Sequence, residues 1–252
     1  MPPLAAEKLA ESRFLNPESC LLVESRLRNT FLSMDTLIPT LAIWALPVLL
    51  AITLHEAAHG YVARLFGDPT AWQAGRISLN PLRHVDPMGT LIVPGVLLAL
   101  SSFVGGSPLL FGWAKPVPVN FSRLRHPKKD MLWVAAAGPA SNLFMAMVWA
   151  LLFKLALVMP ENDYRSPLGH MADAGIQINI MLMVVNLVPI PPLDGGRIAV
   201  SLLPLKLALN YARIEPYGFF ILIFLLYTRL LDVVLWPMIL LVRWFLSALF
   251  GI

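Results

Sequence analysis

Cysteine is almost absent from this sequence, since Cys20 is the only one among 252 residues. A single cysteine excludes an intrachain disulfide bond, and it also excludes a metal cluster held by several thiolates. Any metal ion bound by the chain must therefore use histidine and carboxylate ligands. The first 20 residues also lack the basic start and the apolar core of a cleaved signal peptide. This predicts that the first apolar span serves as an uncleaved insertion signal.

Charged residues are also scarce, at 13% of the chain, whereas hydrophobic residues make up 58% and the mean hydropathy is +0.71. This composition excludes an ordinary soluble domain and indicates a membrane protein. A helix needs about 20 apolar residues to cross the hydrocarbon layer of a bilayer. Apolar runs near or above that length occupy residues 36–54, 87–114, 131–159 and 174–193. All are uncharged except the third, which contains one lysine. A further apolar stretch, residues 217–252, contains three charged residues and predicts a bent helix or a helical pair.

The charges of the loops predict how these spans are oriented. Residues 115–129 carry five lysines and arginines, whereas residues 160–173 carry one arginine and three acidic residues. Because basic loops stay in the cytoplasm, the span over residues 131–159 runs from the cytoplasm to the outside. The next span then returns inward, and the first span also ends inside because three arginines follow it. Since the net charge of +4 arises in such loops, no nucleic-acid partner is expected.

A full crossing by residues 87–114 would place the basic loop on the wrong side of the membrane. Proline and glycine residues interrupt this segment, so we expect a re-entrant or bent path that begins and ends inside. The overlapping stretch FGWAKPVPVNF, residues 111–121, predicts an edge strand or hairpin at the membrane surface. The predicted fold class is therefore an all-α polytopic membrane protein. It is a bundle of about five to six transmembrane helices with a re-entrant or bent segment and a small β-hairpin or strand.

The first span ends in the sequence HEAAH, which places His55, Glu56 and His59 where only apolar side chains are expected. Positions i and i+4 share one face of a helix, so both imidazoles can reach a single metal ion with Glu56 beside them. The alternative is a pair of core histidines with a hydrogen-bonded glutamate. Ionisable groups are rare within membrane spans unless they are functional, which favours the metal site.

A catalytic zinc site usually has three protein ligands and one open position, so a third histidine, aspartate or glutamate is needed. The remaining histidines, His84, His126 and His170, all fall in predicted loops. Asp194 is the better candidate because it follows an uncharged run and lies in NLVPIPPLDGGRI, where prolines prevent a helix from continuing. The alternative is a turn aspartate at a helix end.

The depth of these residues in the bilayer supports the choice of Asp194. At about 1.5 Å per residue, His55 and Asp194 each lie roughly 30 Å along an inward-running span. Ligands of one ion must lie at one level, and these two levels match near the cytoplasmic side of the membrane.

Three motifs together resemble the site-2 protease family of intramembrane zinc metalloproteases. They are HEAAH, GPASN at residues 138–142 and NLVPIPPLDGG at residues 186–196. The segments GRISLNPLRHVDPMGT and FGWAKPVPVN are similar to those of short bacterial and archaeal members without PDZ or CBS domains. The resemblance implies that His55, His59 and Asp194 bind Zn²⁺ and that Glu56 is the general base.

The resemblance also implies a reaction. A zinc-activated water would hydrolyse peptide bonds within or near the transmembrane segment of membrane-protein substrates. The expected partners are single-span transmembrane proteins and the lipid bilayer. The expected location is the cell membrane, with several spans and the active site toward the cytoplasm. We divide the chain into an N-terminal arm, a catalytic transmembrane core and C-terminal transmembrane helices, at residues 1–35, 36–215 and 216–252.

Two amides also lie in the predicted spans: Asn142 in GPASN and Asn186 at the start of NLVPIPPLDGG. A buried amide without partners is unfavourable in hydrocarbon. As substrate-binding residues, Asn142 and Asn186 would hydrogen-bond the backbone of an unwound substrate or the developing oxyanion. The alternative is that they join neighbouring helices. The family resemblance favours substrate contact.

Two other functions are compatible with the same ligands. In a membrane metal transporter, histidine and aspartate side chains would form a transit site for the ion. In a catalytically inactive zinc-binding scaffold, the ion would serve folding alone. The transporter gives Glu56 no special task, so a Glu56→Gln substitution distinguishes it from a protease.

Overall fold

A computed structural model of the chain describes residues 34–84, 86–93, 96 and 115–252. Its described residues fold into helices and contain no β-strand. The α-helices in chain order are α1 (Met34–Leu65), α2 (Thr70–Gln73), α3 (Pro127–Val158), α4 (Arg165–Leu187), α5 (Asp194–Leu202), α6 (Leu205–Ala212), α7 (Glu215–Tyr227) and α8 (Leu230–Phe250). Short 3₁₀ turns at Pro81–Arg83 and Phe121–Arg123 and a π-helical turn at Pro87–Ile92 lie between α2 and α3.

Four helices in this part of the chain are long and apolar enough to cross a membrane: α1 (from Pro39), α3, α4 and α8. Many of their large apolar side chains are exposed, among them Leu46, Phe144 and Leu241, as expected for residues that contact lipid. The pair α6 and α7, bent by 65°, brings the number of spans to five if it counts as one. The chain is thus an all-helical membrane protein with four to five spans in its described part.

The observed helix ends differ from the sequence-based spans in a consistent way. Counting uncharged residues placed the first span at residues 36–54, but α1 continues through HEAAH to Leu65. The same counting began the returning span at residue 174, whereas α4 begins at Arg165 and ends at Leu187, before the prolines. Polar and charged residues therefore extend the helices beyond the apolar runs. The C-terminal stretch is a helical pair, because Arg229 between α7 and α8 adopts a left-handed conformation.

The predicted edge strand or hairpin is not found among the described residues 115–121, and residues 111–114 lie outside the description. Residues 115–120, which we call the strap, use their backbone groups in other ways. The N–H groups of Lys115, Val117 and Asn120 donate to the His84 carbonyl oxygen, to Glu56 Oε2 and to Asp68 Oδ2. Pro116 and Pro118 have no N–H group to offer. A regular strand ladder would need these donors, which explains the irregular path of the strap.

The re-entrant path predicted for residues 87–114 lies largely outside the description, which covers only 87–93 and 96 in that segment. The described residues divide into two compact units. One unit contains the described residues up to Val48 together with Leu143–Val184 and Leu225–Ile252. The other contains the described residues of Leu49–Asn142 and Val185–Phe224, and it includes HEAAH, the strap and Asp194.

Candidate metal centre

Helix α1 presents the two histidines of HEAAH one turn apart. The Nε2 atoms of His55 and His59 are 3.1 Å from each other. Both residues are buried, with exposed fractions of 7% and 8%. The i, i+4 spacing therefore does bring both imidazoles to a single point, as the sequence predicted.

Asp194 reaches the same point because the chain turns sharply after α4. Residues 188–193 form the proline-rich turn, and α5 begins at Asp194. Gly195 packs directly against the carbonyl groups of Leu187 and Val188, where a Cβ atom would overlap them. This close approach brings the first turn of α5 against the end of α4. The position of Asp194 at a helix N-terminus is also favourable for a carboxylate.

The three side chains converge on a space suited to a metal ion. Asp194 Oδ2 lies 3.2 Å from Nε2 of His55 and 3.2 Å from Nε2 of His59. All three candidate ligand atoms lie within 4.8 Å of one another. Asp194 Oδ2 is buried, and apart from its approach to the two imidazoles it has no hydrogen-bond partner. A buried carboxylate oxygen without a partner is unfavourable, so a cation is the natural occupant.

The hydrogen bonds at Nδ1 of His55 and His59 indicate that Nε2 of each ring can donate an electron pair to a metal ion. His55 Nδ1 lies 2.6 Å from Asn142 Oδ1, and His59 Nδ1 lies 2.7 Å from the Val134 carbonyl oxygen. Because these oxygens only accept hydrogen bonds, each Nδ1 carries a proton, and in a neutral ring Nε2 is then the nitrogen with the free electron pair. Two imidazole nitrogens and one carboxylate oxygen are the ligands of many catalytic zinc sites. The residues therefore fit a zinc ion.

Glu56 lies beside this cluster and is held by the strap. Its Oε2 accepts a hydrogen bond of 2.9 Å from the Val117 N–H group. The strap comes this close because Gly60 has no side chain: a Cβ atom there would lie 3.1 Å from Val117 Cγ1 and 3.0 Å from Ala71 Cβ. The glutamate of HEAAH is thus oriented by a backbone group from a distant part of the sequence.

Side chains on both sides of the strap fix its position. Arg76 donates to the carbonyl oxygens of Lys115 and Pro116 at 3.0 and 3.3 Å. Asp68 is fully buried and accepts from the backbone N–H groups of Thr70 and Asn120. Burial by itself favours the neutral acid, but the hydrogen bonds from Thr70 and Asn120 hold the pKa of Asp68 below its usual range. A charged Asp68 therefore anchors the C-terminal end of the strap.

The structure brings together the main residues that the sequence singled out. His55, His59 and Asp194 lie together as a possible metal site, and no further histidine, cysteine or acidic residue of the described chain joins this group. His84 instead bonds the Ser78 carbonyl oxygen, and the His126 side chain is 76% exposed.

The two amides occupy different surroundings. Asn142 is fully buried, and its side chain contacts His55 and the Ala51 carbonyl oxygen. Asn186 is half-buried in the last turn of α4. A substrate-binding role for either amide stays a prediction. The sequence analysis named the segments that contain Gly138 and Val117, but it did not predict their contacts with the histidines and Glu56, which arise only through the folding of distant segments.

Known proteins resemble this chain over most of its length. It is 37% identical over 195 residues to a Bacillus subtilis (strain 168) protein named "Putative zinc metalloprotease YwhC", covering 76% of this chain and 83% of that protein. It is 30% identical over 203 residues to "Putative zinc metalloprotease Rip2" of Mycolicibacterium smegmatis, covering 80% of this chain and 69% of that protein. No solved structure gave a significant match.

The family comparison agrees with these relatives. The profile of Peptidase family M50 matches residues 158–228, a region that includes Asp194 and the proline-rich turn before it. The relatives cover residues beyond this region, and the three candidate ligands are of the types that bind zinc. On this similarity the chain belongs to peptidase family M50, the site-2 protease family of zinc metalloproteases.

Proposed function

We propose that this chain is an intramembrane zinc metalloprotease that hydrolyses peptide bonds within or near the transmembrane segments of other membrane proteins. His55, His59 and Asp194 bind the zinc ion, and Glu56 is the general base. The observation that carries the proposal is the convergence of three electron-pair donors, including an unpartnered buried carboxylate oxygen, next to Glu56. This cluster includes residues of a helix long and apolar enough to span a membrane.

The chemistry follows from the positions of these side chains. A bound zinc ion lowers the pKa of a water molecule and polarises the scissile carbonyl group. Glu56 takes a proton from the attacking water and later gives it to the leaving amine. Since Glu56 Oε2 accepts from the Val117 N–H group, we assign the proton transfer to Oε1. The hydrogen bond keeps the carboxylate in one orientation through both transfers.

The membrane setting determines the substrate class. Peptide hydrolysis consumes water, so the site must open to a polar cavity. The loop charges favour a cytoplasmic position for the end of α1, and HEAAH lies within the last three turns of that helix. A substrate helix must unwind there, because its peptide bonds are otherwise covered by their own hydrogen bonds. Single-span proteins fit this requirement, since one helix can leave the bilayer without disrupting a bundle.

The test of this function is a Glu56→Gln substitution, which keeps the size of the side chain but removes its basicity. The full-length chain and the variant would be co-expressed with a panel of single-span membrane proteins, and cleavage fragments would be compared. General bases contribute about 10²–10⁴-fold to rate, so we expect the fragments to disappear. Zinc content should stay at one ion per chain, because Glu56 is not a ligand.

The other functions predict different results from the same variant. A transporter would move metal across the membrane and would show no fragments with either glutamate or glutamine at residue 56. An inactive scaffold would give the same results in these experiments whether residue 56 is glutamate or glutamine. Fragments that persist with Glu56→Gln would contradict the assignment of Glu56 as the base.

A further inference from the structure

One side of α3 faces the two histidines over two helical turns. Val134, Gly138 and Asn142 follow one another at intervals of four residues, so they lie on one side of the helix. Each of the three contacts an imidazole of HEAAH. We call these three residues the α3 stripe.

The first contribution of the α3 stripe is to fix which ring nitrogen carries the proton. Asn142 Oδ1 accepts from Nδ1 of His55, and the Val134 carbonyl oxygen accepts from Nδ1 of His59. The orientation of the Asn142 amide is itself determined, because its Nδ2 donates to the Ala51 carbonyl oxygen at 3.3 Å. A flipped amide would place two donors against each other at His55. Partners of this kind usually orient metal-binding histidines.

The second contribution of the α3 stripe is the space that Gly138 leaves for the two imidazole rings. A Cβ atom on Gly138 would lie 2.6 Å from both Cε1 and Nε2 of His55, and closer still to Nε2 of His59. No real Cβ makes contacts of this length, so any side chain at residue 138 would displace the nitrogens that face Asp194. Glycine is an unfavourable residue in the interior of a helix. Its presence in α3 is explained by the close approach of the imidazole rings.

We propose that the α3 stripe is a template for the metal site. Asn142 and Val134 hold both imidazole rings through Nδ1 in the orientation that turns Nε2 toward Asp194, and Gly138 provides the room in which the two Nε2 atoms meet. These are positioning residues, acting on the zinc ligands and not on the substrate. The proposal rests on the proposed zinc site, and it gives Asn142 a role different from substrate binding.

Zinc affinity of the purified full-length chain tests the proposal, measured by competition with a chromophoric chelator. Asn142→Leu removes the acceptor at nearly constant volume, and we expect zinc to bind about 10–100-fold more weakly. Asn142→Asp keeps an oxygen that accepts from His55 Nδ1, so its affinity should return to within a few-fold of the unsubstituted chain. Gly138→Ala should weaken zinc binding at least as strongly as Asn142→Leu.

A matched control for the added methyl group is Gly169→Ala. Gly169 lies in another span, α4, and a Cβ atom there would be 3.9 Å from Ala156 Cβ, an ordinary contact. This variant should bind zinc as tightly as the unsubstituted chain.

The absorption spectrum of the cobalt-substituted protein adds a second readout, because it reports the ligand geometry directly. Asn142→Asp should reproduce the original spectrum, and Asn142→Leu should change it.

The outcomes separate this proposal from the proposed function. Equal zinc affinities for Asn142→Leu, Gly138→Ala and the unsubstituted chain would overturn the template. So would an Asn142→Leu variant that unfolds at lower temperature but binds zinc normally, since that is the behaviour of an amide that only joins helices. Failure of the protease assignment would appear elsewhere, as fragments that persist with Glu56→Gln while the affinities follow the predicted order.

Discussion

Single residues at this site each depend on one partner from a distant part of the chain. Glu56 is oriented by the Val117 N–H group, and His55 is oriented by Asn142, which is 87 positions away. The HEAAH spacing predicts that two imidazoles share a helix face, because that relation is local. The sequence offers no comparable rule for pairs from different segments. It therefore pointed to the candidate ligands, and it named Asn142 for substrate binding and not as the partner of His55.

The hydrogen bond from the strap to Glu56 gives a prediction at the scale of one residue. Val117→Pro removes the donating N–H group, so the carboxylate loses its fixed orientation. A hydrogen bond to a charged group contributes about 1.5–3 kcal/mol, so we expect the cleavage rate to fall by about tenfold or more. Zinc affinity should not change, because none of the three proposed zinc ligands takes part in this hydrogen bond.

The control for this variant is Val117→Ala, which keeps the N–H group and removes most of the side chain. Val117 is buried against Gly60, so both variants lose similar packing. If Val117→Ala slowed cleavage as much as Val117→Pro, packing of the strap would explain the loss, and the hydrogen bond would have no part in it.

At the scale of secondary structure, the sequence predicted helices well and their ends poorly. Long apolar runs identify spans because a lipid environment requires them. They do not show that α1 continues through three ionisable residues to Leu65, since the partners that make those residues acceptable come from α3, the strap and α5. The strap was predicted as a strand from its alternating residues. Its donors instead bond to side chains and to one loop carbonyl.

The direction of α8 follows from one contact within a compact unit. Lys154 Nζ donates to the Phe250 carbonyl oxygen at 2.5 Å, which places the end of α8 beside the end of α3. Loop charges predict that α3 runs toward the outside, so we expect α8 to run the same way and to end outside. Residues 188–229 would then begin and end in the cytoplasm, which predicts that the bent pair α6 and α7 is a re-entrant segment and not a fifth span.

Labelling with a membrane-impermeant maleimide in intact cells tests this orientation. In a Cys20→Ser background, we expect a cysteine appended after Ile252 to be labelled without lysis. Glu161→Cys is the outside control and Lys129→Cys the inside control, since both positions are exposed. The contrary result is an appended cysteine that is labelled only after lysis. It would show that α6 and α7 cross the membrane and that α8 runs in the direction opposite to the predicted one.

At the scale of the whole molecule, the two halves of the metal site come from segments about 135 positions apart in sequence, at HEAAH and at LDGG. Matching depths in two inward-running spans predicted that they could meet, because the bilayer fixes the level of each span. The composition and the loop charges were sufficient to predict that the two segments lie at the same depth in the bilayer. The lateral packing that brings α1, α3 and α5 together was not predictable, since it depends on contacts such as Gly138 against the imidazoles.

The most direct measurement is X-ray absorption at the zinc edge of the purified full-length chain. Our account predicts one zinc ion per chain, with two imidazole nitrogens and one carboxylate oxygen at about 2.0–2.2 Å. It also predicts that Asp194→Ala removes the oxygen contribution from the protein and weakens binding. A chain that holds no stoichiometric zinc, or whose spectrum is unchanged by Asp194→Ala, would contradict it.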